Sequence, residues 1–128
     1  MRKILFIDRD GTLIVEPPVT YQVDTLEQLE FLPGVIGALS RVLSQSDYEL
    51  VMVTNQDGLG TEVYPEENFN TVQKSMLKTF EGEGVRFKEI LIDRTFPEQN
   101  SPTRKPKTGL VDKYLNETLD YNNSYVIG

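Results

Sequence analysis

Apolar residues along this chain fall in short blocks, and the spacing within them alternates between two periods. "KILFI" (3–7) is a compact apolar run without helical spacing and predicts a buried strand. Residues 8–24 follow as a loop, because "EPP" (16–18) excludes a helix. "PGVIGALSRVL" (33–43) predicts a helix with Pro33 in its first turn. "YELVMVT" (48–54) predicts a second strand, and "NQDGLGTE" (55–62) a glycine-bearing loop. In "PEENFNTVQKSMLKTF" (65–80), Phe69, Val72, Met76, Leu77 and Phe80 recur at helical spacing. "VRFKEILI" (85–92) predicts a third strand, and residues 93–106 a polar loop carrying Pro97, Pro102 and Pro106. "KTGLVDKYLNETL" (107–119) sets Leu110, Val111, Tyr114 and Leu115 on one helical face, and "SYVIG" (124–128) predicts a fourth strand.

Strands alternating with helices predict an α/β fold, a Rossmann-like parallel sheet with helices on both faces, made by one domain over residues 1–128. Ligands of such sheets gather beyond the carboxyl ends of the strands, at a switch point. Asp8 and Asp10 follow the first strand, Thr54 and Asn55 end the second, and Lys105 precedes the last helix. Polar groups from three parts of the chain are therefore expected at one edge of the sheet.

Composition narrows the chemistry. The 128 residues suit one domain, and 38% apolar content is enough for one core. There is no internal repeat. No apolar run is long enough to span a bilayer, and the four-residue run after "MRK" is too short for a signal peptide, so the cytoplasm is the expected location. Without cysteine, disulfides and thiolate metal sites are excluded. Without histidine, the commonest general base and metal ligand is missing, which leaves carboxylates, lysine and arginine to carry any catalysis. A formal charge of −7 argues against a nucleic-acid partner. "FEGEG" (80–84) reads as solvated surface.

"FIDRDGTLI" (6–14) puts two carboxylates one residue apart at the end of a buried strand. Two such charges repel, so a cation or a hydrogen-bond network must offset the cost. A divalent cation and a phosphate do so together. Mg²⁺ prefers carboxylate oxygens and also binds phosphate oxygens. Asp8 is then placed to attack phosphorus and form an aspartyl-phosphate. Asp10 is placed to protonate the leaving alcohol and later to deprotonate water. Gly11 and Thr12 let the backbone bend and present N–H groups to an anion. Thr54 can donate a hydroxyl hydrogen bond to phosphate, and Lys105 can balance the transferring charge.

These motifs resemble those of the haloacid dehalogenase-like phosphohydrolases, in "DRDGT" (8–12), "VTNQ" (53–56) and "RKP" (104–106). The resemblance implies Asp8 as nucleophile, Asp10 as general acid and base, and phosphate contacts from Thr54 and Lys105. It also implies Mg²⁺ held by the Asp8 side chain and the Asp10 backbone carbonyl. Asn55 and Arg104, within the second and third motifs, are expected to line the substrate site. With "EPP", "QVD" (22–24), "PGVI", "NQDGLGT" and "SYVIG" added, the whole chain resembles histidinol-phosphate phosphatase domains, which occur fused to an imidazoleglycerol-phosphate dehydratase. The resemblance implies a small phosphate monoester as substrate, with Glu16 available to its cationic amine, and a possible dehydratase domain in the parent protein.

Two departures from that family carry expectations. Asp93, Thr95, Ser101 and Thr103 stand where many members carry zinc ligands. Hydroxyls and one carboxylate suit a closed zinc site poorly, so no zinc is expected and packing and prolines are expected to order the loop. The family's fourth motif supplies a magnesium-binding acid directly after an "IG" like Ile127-Gly128, so the chain is expected to be a C-terminally truncated fragment with weakened Mg²⁺ binding and low activity. The rival readings are a sugar-bisphosphate phosphatase of the heptose type and a non-catalytic phosphate- or partner-binding domain.

Overall fold

The computed structural model describes residues 1–128. Its strands are β1 (Ile4–Ile7), β2 (Glu49–Asn55), β3 (Glu89–Asp93) and β4 (Tyr125–Ile127). Its α-helices are α1 (Val35–Ser44) and α2 (Glu66–Gly82). The strands form one sheet in the order β3-β2-β1-β4, and every pairing is parallel. The expected α/β class with a parallel sheet is therefore the observed one. The chain steps outward from β1 to β2 to β3, then returns past both to place β4 on the far side of β1. That reversal makes the carboxyl end of β1 the switch point of the sheet.

Alternating residues of the central strands enter two separate cores, as a pleated strand requires. Leu5, Ile7, Leu50 and Met52 pack with Leu39 of α1 and with Val72, Met76 and Phe80 of α2. Ile4, Phe6, Val51 and Val53 pack on the opposite face with Tyr114 and Leu119. Both α-helices therefore lie on one face.

The second face departs from the expected helix over 107–119. Only Asp112–Tyr114 is helical there, as a single 3₁₀ turn within irregular chain. The Gly109 N–H is drawn to Pro102 O at 2.9 Å, outside any helical ladder. Farther along, Asn116 donates to Lys113 O and accepts from the Thr118 N–H and hydroxyl, offering the backbone an alternative to helix. Leu110, Val111 and Tyr114 still face the sheet as the spacing predicts, whereas Leu115 is exposed. Elsewhere the differences are at boundaries. Gly34, at φ 78°, turns the chain into α1, so Pro33 lies outside the helix. β3 starts at Glu89 rather than residue 85, since Val85 and Phe87 pack under α2 before pairing begins.

Candidate active site

The end of β1 is fixed from two sides. The Asp8 N–H donates to Ile127 O of β4 at 2.9 Å, and beyond it the Arg9 carbonyl accepts from the N–H groups of Thr12, Leu13 and Ile14. Gly11 sits inside this turn at φ 82°, a conformation that glycine reaches without steric cost. Asp8 Oδ1 accepts from the Arg9 N–H at 2.8 Å and pairs with Lys105 Nζ at 2.8 Å. Its Oδ2 takes part in neither contact.

Asp10 turns inward, with its side chain 10% exposed. Gln56 Nε2 donates to Asp10 Oδ2 at 3.1 Å and to Thr54 Oγ1 at 2.9 Å. Arg9 is fully buried beside it, with its guanidinium over the Phe69 ring at 4.8 Å from the centroid. An Arg9 guanidinium nitrogen lies 3.3 Å from Asp10 Oδ1 without hydrogen-bond alignment, so this contact is ionic only. Burial pushes the Asp10 carboxyl above its ordinary pKa, and the nearby Asp8 charge adds to it. The Arg9 charge and the Gln56 hydrogen bond pull the other way without cancelling the rise.

The third side comes from the loop after β3. Asn55 clamps Lys105 by its main chain, donating to Lys105 O at 3.3 Å and accepting from the Lys105 N–H at 3.1 Å. Lys105 Nζ reaches across to donate to Val53 O at 2.7 Å. An ammonium carries three donors, so with Val53 and Asp8 engaged one remains. Thr54, buried and accepting from Gln56, keeps its own hydroxyl proton for another acceptor.

These groups line one cleft of about 330 Å³, together with Glu16, Thr20, Tyr21, Gln22, Asp57, Tyr64 and Arg104. All seven expected site residues, Asp8, Asp10, Glu16, Thr54, Asn55, Arg104 and Lys105, are therefore brought together. Glu16 stands exposed at the rim, and burial, then the charges of Asp10 and Asp8, raise its pKa. Arg104 is directed to Asp57 at 2.5 Å and to Thr95 O at 3.2 Å, so its charge is already matched.

Several contributors were not singled out from the sequence. Gln56 lay within the quoted "VTNQ", but nothing in the pattern said that its amide would bridge Asp10 and Thr54. Arg9, Asp57, Tyr64 and the 20–22 segment carried no spacing signal, because their roles depend on contacts across the fold.

The donor set suits Mg²⁺. Asp8 Oδ2 is free, and the Asp10 carbonyl oxygen accepts none of the main-chain hydrogen bonds. Both are hard oxygens at one edge, and Mg²⁺ takes one or two carboxylates plus waters and phosphate oxygens. The positions where zinc ligands would stand form a hydrogen-bonded cluster instead. Thr95 and Thr103 both donate to Asp93, and Ser101 bonds Thr103 at 2.8 Å. The loop is thus tied mainly by hydrogen bonds, where packing and prolines were expected. Packing contributes at Gly58, where the Phe96 ring occupies the space a side chain would need.

Residues 3–127 match the sequence model of the family described as polynucleotide kinase 3 phosphatase. The chain belongs to that family. It is 56% identical over 128 residues to the histidine biosynthesis bifunctional protein HisB of Bacteroides fragilis, covering 99% of this chain and 34% of that protein. It is 52% identical to the HisB protein of Spirosoma linguale, covering 100% of this chain and 34% of that one. The chain thus spans about a third of the length of the curated relatives it matches. Among solved structures it resembles a D,D-heptose 1,7-bisphosphate phosphatase from B. bronchiseptica complexed with magnesium and phosphate. That match has a TM-score of 0.76 at 26% identity and covers 88% of this chain and 61% of the other. A HAD-like phosphatase from Mesorhizobium loti matches with a TM-score of 0.78 at 26% identity, covering 99% of this chain and 63% of the other. The expected likeness to haloacid dehalogenase-like phosphatases is borne out. No helix is long and apolar enough to cross a membrane.

Proposed function

We propose that this chain is a Mg²⁺-dependent phosphomonoesterase domain acting on L-histidinol phosphate in histidine biosynthesis, in the cytoplasm, within a protein that carries a second, dehydratase domain. The observation that carries the reading is the pair at the end of β1: Asp8, with one oxygen held by Lys105 and the other free, beside an inward Asp10 whose pKa is raised. A carboxylate with one oxygen beside a lysine and the other open to a metal suits a nucleophile, and a raised pKa suits a general acid. The likeness over the whole chain to HisB proteins supports the substrate.

The Asp8 carboxylate attacks phosphorus through the oxygen that does not hold Mg²⁺, the bond from phosphorus to the alcohol oxygen breaks, and the alcohol oxygen takes the Asp10 proton. The Asp10 carboxylate then removes a proton from water, whose oxygen attacks the aspartyl-phosphate and releases phosphate and Asp8. The remaining Lys105 donor and the Thr54 hydroxyl bind phosphate oxygens, while Asn55 and Arg104 hold the loop that delivers Lys105. Asp8 and the Asp10 carbonyl would hold Mg²⁺, which when bound neutralises the charge of the phosphate and of its attacker.

The charge of −7 favours a small ester over a polynucleotide. Glu16 favours an ester bearing an amine, because a cation offsets the burial and the Asp10 and Asp8 charges that raise its pKa. A second reading, a heptose-type sugar-bisphosphate phosphatase, is supported by the B. bronchiseptica structure. The test is phosphate release with added Mg²⁺ from histidinol phosphate and from a panel of sugar phosphates. Fastest turnover of histidinol phosphate, lost by at least about a thousandfold in Asp8→Asn, is expected. Preference for a sugar bisphosphate would establish the second reading, and no release from any ester, by this chain or by the longer parent protein, would leave only a binding domain.

A further inference from the structure

Asp93 ends β3 with 2% of its surface exposed, yet its side chain bonds none of the groups that line the cleft. Its carboxylate is fully engaged. Oδ2 accepts from the Thr95 hydroxyl at 2.6 Å and the Thr95 N–H at 3.1 Å, and Oδ1 accepts from the Thr103 hydroxyl at 2.5 Å. Since Thr103 spends its proton on Asp93, the 2.8 Å bond between Ser101 and Thr103 must be donated by Ser101. One carboxylate thereby staples both ends of the segment 95–103. The residues that follow at once are Arg104 and Lys105, whose Nζ meets Asp8.

The main chain of Asp93 reaches the other acid. Its carbonyl accepts from the Gln56 N–H at 2.8 Å, and the Gln56 side chain holds Asp10. We propose that Asp93 is a positioning residue for the reaction, aiming Lys105 at Asp8 through Thr103 and the strap, and Gln56 at Asp10 through its own backbone. This rests on the phosphomonoesterase reading for its catalytic consequence, but the holding of the strap does not. A displacement of the Lys105 ammonium by about 1 Å is enough to cost a reaction of this kind two orders of magnitude.

The test uses the full chain and the variants Thr103→Val and Thr103→Ser. Valine keeps the shape and removes the donor to Asp93, whereas serine restores a donor. Three quantities are read: kcat and KM for histidinol phosphate with Mg²⁺, the melting temperature, and the rate of limited tryptic cleavage after Arg104 and Lys107. Thr103→Val is expected to lower kcat about a hundredfold with KM within about threefold. Cleavage of the strap is expected to speed up about tenfold in a chain that still melts cooperatively. Thr103→Ser is expected to bring both back towards wild type. A strap cut no faster in Thr103→Val overturns the proposal, as does faster cutting with wild-type kcat, or a loss of kcat that serine fails to recover. If neither the wild-type chain nor the longer parent protein hydrolyses an ester, the phosphomonoesterase reading fails by itself, and the tryptic rates still decide whether Asp93 holds the strap.

Discussion

Burial pushes the Asp93 carboxyl up, but the Thr103 and Thr95 hydroxyls, the Thr95 N–H and the Arg104 charge outweigh it, so its pKa lies below the ordinary 3.8. A carboxylate depressed by folding stabilises the native state at pH above its unfolded pKa. As pH falls below that value the unfolded chain takes up the proton first, and the stabilisation is lost through the lower native pKa. Asp93→Asn removes this contribution. The urea midpoint of the wild type is therefore expected to exceed that of Asp93→Asn near neutral pH, and the gap to narrow as the pH falls below 3.8. Parallel curves across that range would mean that the hydroxyls do not favour the charged form. The sequence supplied the residue types here but not the arrangement. Asp93, Thr95, Ser101 and Thr103 were legible as poor zinc ligands, yet no local rule says that they will bond one another across a loop.

At the scale of elements, the reading from hydrophobic spacing held wherever one period ran cleanly. Phe69, Val72, Met76 and Phe80 of α2 are all buried, the last three under the sheet, and the four strands appear within a few residues of their expected spans. The failure at 107–119 is instructive, because the apolar spacing was right about the face for Leu110, Val111 and Tyr114, though not for Leu115, and wrong about the backbone. Tyr114 shows why the segment stays attached without a helix. Its ring meets Phe6 edge-on at 5.6 Å, and its hydroxyl donates to Glu89 of β3, which also pairs with Lys113. Burial first, then the Glu89 contact, pushes the phenol up to about 12, so it remains a donor at any ordinary pH. Tyr114→Ala is expected to cost about 3–5 kcal/mol, as other buried aromatic truncations do. Tyr114→Phe keeps the ring and is expected to cost only about 1 kcal/mol, since Lys113 still serves Glu89. Chemical denaturation separates the two, and equal losses would show that the hydroxyl, not the ring, anchors this face.

For the molecule as a whole, the cleft and the surface carry the same sign. Lys105 faces Asp8 and Arg104 faces Asp57, which leaves Glu16 as the residual charge at the opening. An anionic ester thus approaches a protein of charge −7 through an acidic mouth, and a cationic group on the ester relieves that repulsion. The composition made the overall sign legible, while the pairing of each cleft base with an acid needed the fold. Salt should then act differently on different substrates. At fixed Mg²⁺, raising ionic strength screens the repulsion of a sugar phosphate and increases its kcat/KM. If Glu16 meets the amine of histidinol phosphate as proposed, the same screening weakens that attraction, so its kcat/KM rises less or falls. The ratio of the two is expected to drop about two- to fivefold between roughly 0.02 M and 0.3 M salt, and Glu16→Gln should lower the ratio at low salt and flatten its slope. A ratio indifferent to both salt and Glu16→Gln would remove Glu16 from substrate selection and leave the amine to some other part of the cleft.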